Sequence, residues 1–264
     1  VPTSGTWQIV LASGNPGKLA ELSALLAPLG CQVQAQSEFH LTEAEEPHPT
    51  FVENALAKAR HASFHTGLPA LADDSGLCVE ALGGLPGVRS ARFAPQIEGP
   101  RAEQDAANNR LLLQQMEGQT LRLARFVSIV VALRHAADPE PLIVRGELIG
   151  QIGHAAQGQG GFGYDPLFVL ADGRTLAQCD AQEKNRISHR GQALQTLLPL
   201  LRTRWGWTAA PSERPQGRAA PSPPPVGDEA RGSKLPCGSL DGAESEQRAS
   251  CEVDKETWDG PAFP

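Results

Sequence analysis

The chain has 264 residues, a mass of 28.0 kDa, 40% hydrophobic residues, a formal net charge of −7 and a pI near 5.5. That hydrophobic share can build a substantial core, which excludes wholesale disorder, and the acidic balance excludes a general nucleic-acid binder with a broad basic face. The cysteines at 31, 78, 179, 237 and 251 form no C-x-x-C pair, so neither a zinc site nor a disulfide framework is expected, and reduced thiols in a cytoplasmic protein are the simplest reading. Residues 1–8 lack the basic start and apolar run of a leader, and no stretch approaches the roughly 18–20 apolar residues of a membrane span, so no membrane association is expected.

In chain order, Trp7–Ala12 reads as a short buried strand and Ser13–Gly17 as a turn. A helix follows from Pro16, with Leu19, Leu22, Leu25, Leu26 and Leu29 at helical spacing and Gly30 as its stop. Cys31–Ala35 suggests a second strand. The next helix spans Thr50–Thr66, with Thr50 and Glu53 set as a capping box. Leu71–Val79 reads as a strand interrupted by Asp73-Asp74-Ser75, and Arg101–Glu117 as a helix. Two long strands, Leu121–His135 and Pro141–Ile152, are joined by a turn near Asp138, and a brief strand at Leu167–Leu170 precedes a last helix at Ser188–Arg204. This alternation predicts a mixed α/β (α+β) fold.

From Ala209 to Pro264 the composition changes: the segment has nine prolines, 6 Lys+Arg, 10 Asp+Glu and few aliphatic residues. It cannot bury enough apolar surface to offset its ordering entropy, so a folded domain at 1–208 and a disordered, Pro-rich acidic tail at 209–264 are expected.

Four blocks carry candidate chemistry. Ser13-Gly14-Asn15-Pro16-Gly17-Lys18 sits between a strand and a helix, where backbone N–H groups and a helix N-terminus can hold an anion, although a purely structural turn would look the same. It lacks the Walker A spacing. Leu71-Ala72-Asp73-Asp74-Ser75 reads either as a strand end with a capping aspartate or as a hard-cation site, with Glu45 or Glu46 as a further ligand. Gly158–Asp165 places Phe162 and Tyr164 among glycines, as a flat surface for a nucleobase or as an incidental hairpin turn. Glu183–Arg190 puts His189 and Arg190 in the first turn of the last helix, where cations oppose the dipole, which hints at a ligand.

Taken together, SGNPGK (13–18), FVENALAKA (51–59), ALADDSGLCVEALGGLPGVRSARF (70–93), GGFGYDPLF (160–168) and EKNRISHRGQAL (183–194) resemble the XTP/dITP pyrophosphatase family, also called inosine triphosphate pyrophosphatases, in its bacterial branch. The likeness runs from about Gln8 to Arg204. It implies two lobes around a long twisted mixed sheet, an active site in the cleft between them, a Mg²⁺ cofactor and a homodimer. By the same resemblance Ser13, Gly14, Asn15, Pro16, Gly17 and Lys18 contact the nucleotide, with Lys18 and Lys58 on the triphosphate. Asp74 is the general base and a metal ligand, Glu46 the other metal carboxylate, and Asp73 a support. Ser75 touches substrate, Phe162, Gly163, Tyr164 and Asp165 bind the base with Phe162 stacking, and Lys184, His189 and Arg190 complete the substrate contacts. After Phe93 the family commonly continues Ala-Gly-Glu, whereas this chain has Ala94-Pro95-Gln96.

The implied reaction hydrolyses ITP, dITP or XTP to the monophosphate and pyrophosphate. Two rivals stand beside it: a pyrophosphatase for other modified nucleotides, and a silent nucleotide-binding protein that uses its tail for partners.

Overall fold

The computed structural model describes residues 7–27 and 30–207; the expected tail at 209–264, and Leu29 at the expected end of the first helix, lie outside them. The elements, in order, are β1 (Gln8–Leu11), α1 (Pro16–Leu26), β2 (Gln32–Ala35), α2 (Phe51–Thr66), β3 (Ala70–Val79), α3 (Arg101–Gln115), β4 (Leu123–Leu133), β5 (Leu142–Ile152), β6 (Phe168–Val169), α4 (Ala181–Ile187) and α5 (His189–Trp205). Three departures from expectation are local. Helix α1 stops at Leu26 with Ala27 as its cap, short of Gly30. Thr50 caps α2 by accepting from the Glu53 N–H, but its hydroxyl also donates to the Glu53 carboxylate, so the reciprocal half of the capping box is replaced. Helix α4, capped by Asp180, has seven residues, too few to display a helical apolar period in the sequence.

The six strands form one mixed sheet in the order β2-β1-β3-β4-β5-β6, with β2, β1 and β3 parallel and the remaining pairs antiparallel. Side chains alternate across it. On one face Ile9, Leu11, Leu71, Val130 and Ala132 join Leu22 and Leu26 of α1 and Leu194, Leu197 and Leu201 of α5 in a closed core. On the other, Val10, Ala70, Ala72, Val131 and Leu133 pack on Ala55, Ala59 and Ala62 of α2. The small residues of α2 let that helix lie close to the sheet. A third cluster gathers Leu77, Val79 and Phe126 at the far end of β3 and β4 with Leu112 and Met116 of α3. Each fully buried leucine here stabilises the fold by about 1.5–3 kcal/mol relative to exposure.

The position of the site follows from this alternation. Along β3, Leu71, Leu77 and Val79 fill the α1/α5/α3 face, yet the two intervening positions on that face are Asp73 and Ser75. The partner strand repeats the interruption: Phe126 and Val130 are apolar, and Ser128 lies between them. The apolar face therefore breaks into two regions, and a cleft opens at the break. Gly146 on β5 lets α5 close one side of it, because a Cβ there would meet the His189 carbonyl oxygen at 1.8 Å.

Candidate active site

A cleft of about 410 Å³ occupies this break, within the size range of small-molecule sites. Its floor is Asp73, whose side chain is wholly buried. The Asp73 carboxylate accepts from Ser128 Oγ at 2.5 Å and Ser75 Oγ at 2.9 Å, and it pairs with Lys18 Nζ at 2.8 Å and Arg190 Nε at 3.3 Å. Burial would raise its pKa, but the Lys18 and Arg190 charges and these hydrogen bonds overcome that and hold it well below the usual carboxylate range. Asp73 is an ionised anchor that fixes two cations at the cleft wall.

Asp74 points to the opposite face of β3, toward α2. Its Oδ1 accepts from Lys58 Nζ at 2.7 Å, and its Oδ2 is buried with no hydrogen-bond partner. Here burial wins over the Lys58 charge, and the carboxyl is pushed above the ordinary aspartate value. Lys58 also donates to Glu46 Oε1 at 2.8 Å and to the Asp73 carbonyl oxygen at 3.0 Å. Those three acceptors use all three N–H groups of an ammonium. Although burial disfavours its charge, Asp74 and Glu46 together raise the Lys58 pKa. Burial likewise opposes ionisation of Glu46, but Lys58 and Arg92 more than offset it and lower the Glu46 pKa. The second Glu46 oxygen, Oε2, accepts from Arg92 Nη1 at 3.0 Å. Asp74 and Glu46 are thus drawn onto one cation.

The turn at 13–18 differs from a bare anion nest. Asn15 Oδ1 accepts from Gly17 N at 2.9 Å and Lys18 N at 3.4 Å, and Ser13 Oγ accepts from Asn15 N at 3.2 Å. The helix N-terminus is capped by its own side chain. What the turn offers the cleft is the Lys18 ammonium, whose pKa burial lowers despite the opposing pull of Asp73.

At the other end, Phe162 is the flat element. Lys184 Nζ lies 4.4 Å from its ring centroid and the Arg190 guanidinium carbon 5.9 Å, both within cation–π range. Asp165 Oδ2 accepts from Phe162 N and from Lys184 Nζ, both at 2.8 Å. Tyr164 is buried and its hydroxyl donates to the Ser90 carbonyl at 2.8 Å, so it supports the loop from behind. His189 corrects one expectation. Burial, with Arg190 alongside, holds it well below the usual histidine range, so it is a neutral imidazole stacked 4.9 Å from Phe126 and does not place a cation at the helix N-terminus. Its Nδ1 is buried without a partner. Arg190 does carry charge there, and Asp73 compensates it.

Of the residues expected at the site, Ser13, Gly14, Asn15, Lys18, Glu46, Lys58, Asp73, Ser75, Phe162, Gly163, Tyr164, Asp165, Lys184, His189 and Arg190 line this single cleft. Gly17 and Asp74 do not line it, and Asp74 connects to it through Lys58; the Pro16 side chain lies outside what the structure describes. Missed by sequence reasoning were Arg92, Ser128, Asp105 and Asn109. A lone serine inside the apolar run Phe126–Leu133 was a readable signal for Ser128, and Arg92 sits inside a quoted motif. Among the described residues no group of three or more His, Cys, Asp or Glu is placed to hold a metal, and no helix is long and apolar enough to cross a membrane.

Residues 9–200 match the sequence model of the Ham1 family. A dITP/XTP pyrophosphatase of Ralstonia nicotianae is 58% identical over 196 residues, covering 74% of this chain and 96% of the relative. A dITP/XTP pyrophosphatase of Aromatoleum aromaticum is 57% identical over 199 residues, covering 75% and 98%. Among solved structures, a HAM1 protein from Coxiella burnetii superposes with a TM-score of 0.69 at 45% identity, covering 74% of this chain and 98% of that one.

Proposed function

This chain belongs to the Ham1 family, and we propose that it hydrolyses deaminated purine nucleoside triphosphates, namely ITP, dITP and XTP, to the monophosphate and pyrophosphate. The observation that carries this reading is the polarity of one cleft. Lys18, Lys58 and Glu46 stand at one end, with Asp74 behind Lys58; Phe162 and Lys184 stand at the other, and Arg190 lies between them, paired with Asp73 and near the Phe162 ring. A triphosphate suits the first end and a purine the second.

The donor set fits Mg²⁺. Asp74 and Glu46 offer hard oxygens that already share one cation, and the buried Asp74 Oδ2 has an unused acceptor. Two carboxylates, completed by substrate phosphates and waters, are what this ion ordinarily takes from a protein. When bound there it would supply positive charge beside the phosphate oxygens. The chain's own part in the reaction is proton transfer and positioning. Asp74, with its raised pKa, accepts the proton of the water that attacks the α-phosphorus. Lys18 brings positive charge to the phosphates, Lys58 holds Asp74 and Glu46 together, and Asp73 holds Lys18 and Arg190. The neutral His189 and the charged Arg190 supply hydrogen bonds that suit a 6-oxo purine and leave polar groups unpaired against adenine.

Pyrophosphate release from a panel of NTPs, with Mg²⁺ and with EDTA, tests the proposal. Release from ITP, dITP and XTP that needs Mg²⁺ is expected, whereas ATP or GTP turnover within about tenfold of ITP would contradict the purine assignment. A cytoplasmic homodimer belongs to the same proposal. The exposed Leu123 and Ile149 on the β4–β5 hairpin offer it apolar surface, and analytical ultracentrifugation checks it.

A further inference from the structure

Helix α3 contributes Ala107 and its C-terminal leucines to the buried apolar interior, and the side-chain hydrogen bonds it makes outside itself come from a polar set. Gln104, Asp105, Asn108 and Asn109 recur at the i, i+1, i+4, i+5 spacing that places them on one side of a helix. Gln104 and Asn108 hold the segment after β3. Asn108, almost fully buried, accepts from Ala94 N at 2.8 Å and donates to the Ala91 carbonyl at 3.2 Å, while Gln104 Oε1 accepts from Ile97 N at 2.9 Å. The departure from the family after Phe93 is therefore still tied to α3.

Asp105 and Asn109 reach the other way. Asp105 Oδ2 accepts from Gly163 N at 2.9 Å, and Asn109 Nδ2 donates to the Gly163 carbonyl at 2.9 Å. Both polar groups of one glycine are gripped by side chains one helical turn apart. Gly163 follows Phe162 directly and has φ +63, a conformation that L side chains rarely adopt and glycine takes freely; with no side chain of its own to restrain it, the peptide is held by these two hydrogen bonds. The Phe162 ring lies where a side chain on Gly17 would sit, 3.1 Å from the position of such a Cβ. A small rotation about Gly163 would thus shift the ring against the 13–18 turn. The Asn109 Oδ1 atom is buried without a partner, so the side chain is held by the single bond from its Nδ2 to the Gly163 carbonyl.

We propose that Asp105 and Asn109 are positioning residues for nucleobase selection: by clamping the Gly163 peptide they fix Phe162 in the cleft without joining the phosphate chemistry. This rests on the reading of Phe162 as the base platform. Affinity for IMP, measured by calorimetry, and the Ki of inorganic triphosphate, a competitor with no base, separate the two ends of the cleft. Asp105→Ala and Asn109→Ala should each weaken IMP binding about tenfold, since each loses one fixing hydrogen bond and its pre-organisation, with the Ki of inorganic triphosphate unchanged. Asp105→Asn keeps an acceptor oxygen for the Gly163 N–H and should restore IMP affinity to near the wild-type value. Equal loss of IMP and inorganic triphosphate binding, or no loss of either, would overturn the clamp, as would failure of Asp105→Asn to rescue. Wild-type protein that releases no pyrophosphate from ITP would instead overturn the proposed reaction, while the IMP affinities would still decide the clamp.

Discussion

Asp73 and Asp74 are adjacent in sequence and identical in chemistry, yet β3 sends them to opposite faces of the sheet and to opposite electrostatic settings. Asp73 meets Lys18, Arg190 and two serine hydroxyls, and burial strengthens every one of those interactions. Asp74 meets one ammonium that it shares with Glu46, and one of its oxygens has no partner. The first carboxyl is driven well below the ordinary aspartate range and the second above it. A pair whose environments push its pKa values apart separates an anchor from a proton acceptor. The general lesson is that a strand passing between two cores can hold a structural and a reactive carboxylate one residue apart.

The largest expected effect lies on the α2 face. Asp74→Asn should lower kcat by about 10²–10⁴-fold, the usual loss for a general base, without loss of fold stability. A variant that keeps more than about a tenth of the rate would remove Asp74 from that role.

On the other face the effect moves to stability. Asp73→Asn leaves Lys18 and Arg190 buried beside a neutral amide and should cost about 3–5 kcal/mol in urea denaturation. The pH dependence distinguishes the two carboxyls by sign. Because the folded Asp73 pKa is depressed, its contribution is present above the unfolded carboxylate value and is lost as pH falls through the folded value. Because the Asp74 pKa is raised, its contribution is present below the unfolded value and is lost as pH rises through the folded one. Below pH ~4 the stability of Asp73→Asn should therefore fall less steeply than that of wild type, while Asp74→Asn should gain on wild type as pH rises above that range. Parallel curves for both variants would erase the distinction.

A smaller effect sharpens the same comparison. Ser128→Ala removes one hydrogen bond to the buried Asp73 carboxylate and should cost about 1.5–3 kcal/mol, with kcat within a few-fold of wild type. A loss of rate without a loss of stability would place Ser128 in the chemistry. The smallest effect is expected from deleting residues 209–264: the composition of this segment gives it no core to contribute, so Tm and turnover should be unchanged. A marked drop in either would show that the segment docks on the domain.

Much of this was legible in the sequence because its signals are local. The short apolar run within Trp7–Ala12 and the run Leu71–Val79, broken by Asp73-Asp74-Ser75, placed the central strands, the leucine spacing after Pro16 placed α1, and Thr50 and Ser188 marked helix starts where they are found. The interruption of β3 by two aspartates located the cleft, since an apolar strand bears such residues only where partners await them. What stayed hidden depends on register and tertiary approach. Nothing local says that Asp73 pairs with Lys18 while Asp74 pairs with Lys58, because that follows from which face each strand position meets. The neutrality of His189 is a consequence of burial against Phe126, 63 residues away in the chain. The grip of Asp105 and Asn109 on Gly163 joins residues more than 50 positions apart, and the polar spacing on α3 reads equally well as a solvated face.

Hydrolysis of ITP in ¹⁸O-labelled water tests the central claim most directly, because it reports which phosphorus is attacked. Attack at the α-phosphorus, with Asp74 as proton acceptor, puts the label in IMP and leaves the released pyrophosphate unlabelled. Label in pyrophosphate, or release of labelled orthophosphate, would mean that a different bond is broken and would contradict the account.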